Sequence, residues 1–201
     1  MSFKSTAEAT PFRISLRTDK FAMFRRIALT LMLAVSMLPA LAEETSTRPK
    51  VGELPPPVLG NDRNGKAVNL DALHGKVVVL TFWASWCGYC RQELPMLAHM
   101  QKVVGHDNLE VIAINFKESK QEFLSVIRAN KGLDLTYVQD SKGTVSDRYG
   151  VEGLPNMFIL DRDGKVAYWH AGYDEGVMKT VVQEMLSLLP PEALQKPASS
   201  L

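Results

Sequence analysis

Two cysteines three positions apart carry the chemistry that this sequence suggests. The chain of 201 residues contains only Cys87 and Cys90, in the segment Trp86-Cys87-Gly88-Tyr89-Cys90. A disulfide between such close positions closes too small a loop to stabilise a fold much through chain entropy. A chain of this length also buries a core without a covalent staple. The pair therefore favours redox chemistry, in which a thiolate attacks a disulfide and a second thiol resolves the mixed product.

A zinc half-site is the alternative use of two neighbouring cysteines. Structural zinc takes four ligands, and paired histidines in zinc fingers are separated by three to five residues. No two of the four histidines have that spacing, so we expect neither a metal nor another cofactor; they are His74, His99, His106 and His170. We interpret these histidines, together with Trp169, as surface or filler side chains.

The cysteines fall where a buried strand is predicted to pass into a helix. Residues 77–83 are a continuous apolar run rich in β-branched side chains, typical of a central strand, and Trp83 at its end is expected in the core. Apolar residues then recur at helical spacing over 91–104. A helix N-terminus stabilises an anion, so we expect the pKa of Cys87 to lie below the free value of about 8.5. Cys90, one turn into the helix, is the expected shielded thiol.

The rest of the chain alternates between strand and helix patterns. Residues 52–57 are a proline-rich entry segment, and residues 58–70 predict a short hairpin around Asn64-Gly65. Further strands are predicted over 109–116, 135–138, 156–160 and 165–170, and helices over 118–130, 144–149 and 176–189. This order, ending in an antiparallel hairpin, predicts an α/β sandwich with a mixed sheet.

Charge and hydropathy set the N-terminus apart. Residues 1–42 hold six of the 23 basic residues but only two of the 22 acidic ones, so the body is slightly acidic and lacks the basic surface of a nucleic-acid binder. Arg25-Arg26 precede the uncharged residues 27–38, and Ala40-Leu41-Ala42 follows. This pattern predicts a secretory signal cleaved after Ala42. An uncleaved membrane anchor is the alternative, although residues 27–42 are short for a span of about 20 residues.

These features give a provisional division of the chain. Residues 1–42 are expected to be an N-terminal extension with a signal peptide or membrane anchor, and translation could start at Met1 or Met23. Residues 43–50 are expected to be a linker, 51–191 the folded domain, and 192–201 a flexible tail. Export to an oxidising compartment suits a redox-active thiol pair.

The segment Phe82-Trp83-Ala84-Ser85-Trp86-Cys87-Gly88-Tyr89-Cys90 resembles the active-site segment of the thioredoxin superfamily. The continuation Arg91-Gln92-Glu93-Leu94-Pro95 resembles its exported TlpA/ResA-like branch. Gly153-Leu154-Pro155 resembles the cis-proline loop, and residues 52–70 resemble the hairpin extension of that branch. The resemblance implies a thioredoxin-like three-layer α/β sandwich with a mixed central sheet and an N-terminal β-hairpin extension. Thr81 stands where cytoplasmic thioredoxins carry a buried Asp, so we expect that proton-handling group to be absent.

The resemblance also implies site roles. Cys87 would attack, Cys90 would resolve, and Glu93 would assist proton transfer, the alternative for Glu93 being a solvated helix carboxylate. The expected substrate-binding residues are Trp86, Gly88, Tyr89, Leu154 and Pro155. A cis Leu154–Pro155 bond would leave the Leu154 backbone open to a cysteine-containing segment of the partner.

The implied activity is that of an exported protein thiol–disulfide oxidoreductase. Its reduced form would donate electrons to disulfides of exported proteins, with apocytochrome c in cytochrome c biogenesis as the family example. A membrane thiol-electron transporter would restore the dithiol, in the periplasm, with the protein soluble or anchored to the inner membrane. A thiol oxidase of the same fold and a copper-handling module remain alternatives. A peroxiredoxin is less favoured, because no Pro-x-x-x-Thr-x-x pattern precedes Cys87.

Overall fold

The structure is a computed structural model that describes residues 48–194. The predicted signal or anchor, both possible start residues and the cleavage site lie outside the described residues. The strands are β1 (Val58–Asn61), β2 (Ala67–Asn69), β3 (Val77–Trp83), β4 (Leu109–Phe116), β5 (Thr136–Asp140), β6 (Asn156–Leu160) and β7 (Val166–Ala171). The α-helices are α1 (Gly88–Val104), α2 (Lys120–Ala129), α3 (Thr144–Arg148) and α4 (Glu175–Leu188), and 3₁₀ helices cover Leu70–Leu73 and Pro191–Leu194.

A mixed five-stranded sheet forms the centre of the domain, in the order β5-β4-β3-β6-β7. Strands β3, β4 and β5 are parallel, whereas β6 is antiparallel to β3 and β7 is antiparallel to β6. The two remaining strands form a separate antiparallel hairpin. The predicted mixed sheet, its terminal antiparallel hairpin and the N-terminal hairpin extension are confirmed.

The sheet separates two apolar clusters, because β3 lies at its centre and is buried at all seven residues. One face packs against α1, α2 and α4 through side chains that include Leu97, Phe123 and Val181. The other face packs against the β1–β2 hairpin and α3 through side chains that include Leu59, Val145 and Tyr149. The three layers match the expected sandwich.

Helix α1 begins at Gly88, three residues before the start predicted from apolar spacing. Cys87 is its N-cap residue, with extended backbone. Apolar periodicity cannot detect this first turn, because a cap is a polar contact between side chain and backbone. The cysteine pair therefore spans the N-cap and the first turn of the helix.

Both predicted flanking segments pack against the domain where the structure describes them. Pro49 is buried in the expected linker, and Ala193 is buried within the 3₁₀ helix that follows α4. A 3₁₀ helix over Pro191–Leu194 thus stands where a flexible tail is expected from Glu192. Within residues 48–194, no helix is both long enough and apolar enough to span a bilayer.

Candidate active site

The cysteine pair lies at the junction between β3 and α1. After Trp83 the chain turns over residues 84–87, and the turn is closed by the Cys87 N–H, which donates to the Ala84 carbonyl at 3.1 Å. Cys87 and Cys90 are joined by a disulfide, with 5.3 Å between their Cα atoms. Cys87 is 6% exposed and Cys90 1%. The first residue of the pair is therefore the more accessible one.

One amide group in the first turn of α1 points toward the first sulfur. The Cys90 N–H donates to Cys87 Sγ at 3.2 Å. This N–H belongs to the first turn, whose donors have no partner within the helix. Any negative charge on Cys87 Sγ would lie at the positive end of the helix dipole. The arrangement suits a thiolate at this position.

Glu93 is buried one turn after Cys90, with 2% of its surface exposed. The Thr81 hydroxyl on β3 donates to Glu93 Oε1 at 2.5 Å. Burial raises the pKa of Glu93 from 4.5 to about 7, and the bond from Thr81 opposes the rise. The solvated-carboxylate alternative is wrong. Thr81 itself carries no carboxyl group, as expected, but α1 places the buried Glu93 carboxyl against it.

A narrow crevice connects this carboxyl to the proline loop. Glu93 and Pro155 both line it, and the other walls come from β6, β7, the loop after β7 and α4 through Met157, His170, Gly172, Val177, Met178 and Val181. The Leu154–Pro155 peptide bond is cis, as expected. Leu154 packs against the apolar cluster that contains both cysteines. The fold thus gathers both cysteines, Glu93 and the proline loop in one region.

Two side chains interpreted as surface or filler have specific partners. Trp169 Nε1–H donates to Asn156 Oδ1 at 2.9 Å, and the Arg48 guanidinium lies 3.7 Å from the centre of a Trp169 ring. His170 Nε2 lies 2.6 Å from Glu184 Oε2 and ties β7 to α4. The filler interpretation is wrong for both, because each side chain has a specific polar partner. The sequence does not reveal these partners, since they lie elsewhere along the chain.

His106 also departs from that interpretation. Its Nε2 lies 2.9 Å from Asp134 Oδ2, and its Nδ1 lies 3.2 Å from Glu110 Oε2. Hydrogen bonds to these two carboxylates raise its pKa. The cluster links the loop after α1 to β4 and to the loop before β5, at the opposite end of α1 from the cysteines.

Exposed aromatic side chains border the disulfide. Trp86 is 65% exposed and Tyr89 is 57% exposed, whereas Trp83 is buried as expected. Tyr89 stacks on Tyr173, with ring centroids 5.4 Å apart and planes 19° apart. Tyr173 lies in the loop between β7 and α4 and was not singled out from the sequence. Its position depends on the return of β7 to this edge of the sheet.

Glu118 is the second residue that the sequence analysis missed. It follows β4, is 6% exposed, and accepts hydrogen bonds from Ser85 and Asn115. The predicted strand order offered a signal for this contact. The parallel strands β3 and β4 end at the same sheet edge, with Trp83 opposite Asn115. Polar residues just beyond two neighbouring parallel strands lie at the same edge of the sheet, and this rule would have brought Ser85 and Glu118 together.

A dithiol or disulfide at the N-terminus of a helix, in a fold of this topology, performs exchange with other disulfides. The fold and site define the chain as a thioredoxin-fold thiol–disulfide oxidoreductase. It belongs to the AhpC/TSA family, which matches residues 51–169.

Named relatives agree with this class. The chain is 32% identical over 130 residues to the thiol-disulfide oxidoreductase ResA of Bacillus subtilis, covering 65% of this chain and 70% of the relative. It is 31% identical over 148 residues to ResA of Geobacillus thermodenitrificans, covering 72% and 83%. A Chlorobium tepidum structure described as a thiol:disulfide interchange protein DsbE superposes with a TM-score of 0.64 and 32% identity, covering 71% of this chain and 99% of that one.

Proposed function

We propose that the chain works in the reducing direction, as an exported donor of electrons to protein disulfides. The observation that carries the exchange reaction is the position of Cys87, which caps α1 and receives the Cys90 N–H at its sulfur, and the reducing direction is the one that the resemblance to the TlpA/ResA-like branch implies. A thiolate in that position is the nucleophile for disulfide exchange. The named relatives support the reaction class, which favours exchange over copper binding.

The reaction balances in two steps. The Cys87 thiolate attacks one sulfur of the target disulfide, forms a mixed disulfide and displaces the other target sulfur as a thiolate. Cys90 then loses its proton, and its sulfur attacks Cys87 Sγ, which releases the second target thiolate. Two electrons pass to the target, whose thiolates take up two protons, and the Cys87–Cys90 disulfide of this structure is the oxidised product.

Glu93 is proposed as the group that accepts the Cys90 proton. It lies one turn further along α1 and is buried. With a pKa raised to about 7, the carboxyl exists in both protonation states near neutral pH. A group matched to the working pH serves as both acceptor and donor of a proton.

The proposed docking surface for the target surrounds the disulfide. Trp86 and Tyr89 supply exposed aromatic area, and Gly88 between Cys87 and Tyr89 leaves open space, since a Cβ there meets no atom within 4 Å. Leu154 and Pro155 would form the other side, where an extended partner segment could pair with the backbone.

The setting of the reaction is proposed from the sequence. Residues 1–42 would direct export and residues 51–191 would act in the periplasm, either free or anchored to the inner membrane. A relative of 31% identity and TM-score 0.52, from Streptococcus pneumoniae, is described as an exposed lipoprotein thioredoxin. Apocytochrome c is the proposed class of substrate, with a membrane thiol-electron transporter as the source of electrons.

Trapping tests the roles of the two cysteines. Cys90→Ala leaves the attacking thiol without its resolving partner, so mixed disulfides through Cys87 should accumulate in the native compartment. Cys87→Ala is the matched variant, and a chain lacking both cysteines is the blank. More trapped partner with Cys87→Ala than with Cys90→Ala would reverse the assignment of the roles.

The direction of electron flow has its own measurement. Rapid acid quenching followed by thiol alkylation would give the state of the pair in growing cells. A mostly reduced pair supports electron donation, whereas a pair held as a disulfide supports the oxidase alternative.

The N-terminal residue of the mature protein would show whether residues 1–42 are removed.

A further inference from the structure

The Glu118 carboxylate makes three short hydrogen bonds at the active-site loop and at the end of β4. Its Oε2 accepts from the Ser85 N–H at 2.8 Å, and its Oε1 accepts from the Ser85 hydroxyl at 2.5 Å. Asn115 Nδ2 donates to Oε2 at 2.6 Å. One carboxylate therefore binds both donors of a single serine in the loop before Cys87.

Ser85 occupies the second position of the turn that delivers Cys87 to the helix. The turn over residues 84–87 is closed by one backbone bond, from the Cys87 N–H to the Ala84 carbonyl. Trp86, the third residue of the turn, is exposed. The two bonds to Glu118 therefore restrain the turn that carries Trp86 and Cys87.

Strand β4 supplies the rigid structure to which this turn is attached. Asn115 is the register partner of Trp83 in the β3–β4 ladder, and its Nδ2 also lies 3.5 Å from the Trp83 carbonyl. Glu118 is three residues further along the chain. The carboxylate thus links the loop after β3 to the rigid end of β4, over 33 positions in sequence.

The local cost of this arrangement is visible in the backbone. Lys117, between β4 and Glu118, has a φ of 55°, in the left-handed region that non-glycine residues rarely adopt. Among residues 48–194, the hydrogen-bond donors to the Glu118 side chain are all uncharged, so no ion pair offsets the burial of its charge. A backbone in an unfavourable region and a buried carboxylate without a cation are common where a site is positioned for function.

We propose that Glu118 is a positioning residue of the thiol site, which acts through Ser85 to aim Cys87 and Trp86 at the target disulfide. This inference rests on the proposed function and deepens it. Glu118 itself does not touch the reacting sulfur atoms, so it exchanges no proton or electron with them. Its contribution is the fixed geometry of the attacking group.

The test uses Glu118→Gln and Ser85→Ala. Glu118→Gln places an amide N–H₂ where a carboxylate oxygen accepts, and Ser85→Ala removes one of the two serine donors but keeps the N–H. The matched control is Glu122→Gln, because Glu122 also accepts from the N–H and hydroxyl of one serine, Ser119, on an exposed helix end. Circular dichroism would establish that each variant is folded under the assay conditions.

Two measurements report on positioning. With insulin as the disulfide substrate and dithiothreitol as the reductant, kcat/KM should fall about tenfold in Glu118→Gln and less in Ser85→Ala. In a Cys90→Ala background, the pH midpoint for alkylation of Cys87 by iodoacetamide should rise by about half a pH unit, since the thiolate loses its alignment with the helix N-terminus. Glu122→Gln should change neither quantity.

The double variant Ser85→Ala with Glu118→Gln tests the route. If Glu118 acts through Ser85, the double variant should be no worse than Glu118→Gln alone, whereas independent losses would multiply. Multiplied losses, or wild-type values in folded Glu118→Gln, would overturn the proposal. If the wild-type chain fails to reduce insulin, the proposed function fails, but the alkylation midpoints still decide the role of Glu118.

Discussion

The Thr81 hydroxyl donates a 2.5 Å hydrogen bond to Glu93 across the contact between β3 and α1. Both residues are buried, at 0% and 2% exposure. The Glu93 carboxyl group on α1 therefore lies beside the central strand β3, whose own residue at this point is Thr81. Burial favours the neutral acid and the hydrogen bond favours the carboxylate, and burial dominates.

The raised pKa of Glu93 predicts how stability depends on pH. Between pH 4.5 and about pH 7 the folded chain holds a proton on Glu93 that the unfolded chain has lost. The free energy of unfolding should therefore fall as the pH rises through this window and level off above it. This fall in the free energy of unfolding amounts to about 3 kcal/mol across the window. Glu93→Gln should abolish the fall, because glutamine does not titrate.

The measurement is urea unfolding of the oxidised chain at several pH values across that window. The difference between wild type and Glu93→Gln isolates the group, because the other titrating side chains are shared. Glu192→Gln, which alters an exposed carboxylate near the C-terminal end of the domain, is the control and should keep the wild-type slope. Parallel curves for wild type and Glu93→Gln would show that the carboxyl titrates normally.

Thr81→Val tests the opposing contribution. Valine keeps the shape of threonine but removes the donor whose bond lowers the pKa of Glu93, so that pKa should move further above about 7. Carbon-13 NMR of the Glu93 side-chain carboxyl would follow the titration. Thr136→Val is a matched control, because it removes a 2.6 Å bond from a threonine hydroxyl to Glu110. A lowered pKa of Glu93 in Thr81→Val would contradict the assignment.

Local patterns predicted the parts of the site that depend on local structure. The apolar run ending at Trp83 and the adjacent cysteines predicted a strand, a helix and a thiol pair at their junction, because each depends on neighbours in sequence. Glu93 was harder to assign, since its burial depends on the rotation of α1 against the sheet. Helical spacing alone left two environments open for it.

Partners distant in sequence were beyond such patterns. Glu118 reaches Ser85 over 33 positions, and His170 meets Glu184 across two elements. These contacts are set by strand order and by how α4 packs. The parallel pairing of β3 with β4, had it been known, would have predicted that Glu118 lies near the cysteine loop. Nothing in the sequence indicated the partner of His170.

The stacked pair Tyr89 and Tyr173 carries the last prediction. Tyr89 follows Cys87 by two residues, is 57% exposed, and stacks on the Tyr173 ring. Aromatic pairs of this geometry contribute about 0.5–1.5 kcal/mol. Without its neighbour, the Tyr89 ring must be ordered when a protein target docks, and that ordering opposes binding.

Tyr173→Ala should therefore raise KM for insulin by about twofold to tenfold and leave kcat nearly unchanged, since the thiols are not altered. Reduction of a small disulfide, such as oxidised glutathione, should be much less affected, because it covers less of the aromatic surface. Val103→Ala, which truncates an exposed apolar side chain at the opposite end of α1, is the control for lost surface area. Equal losses for insulin and for glutathione would mean that Tyr173 affects the thiols and not the docking of a protein target.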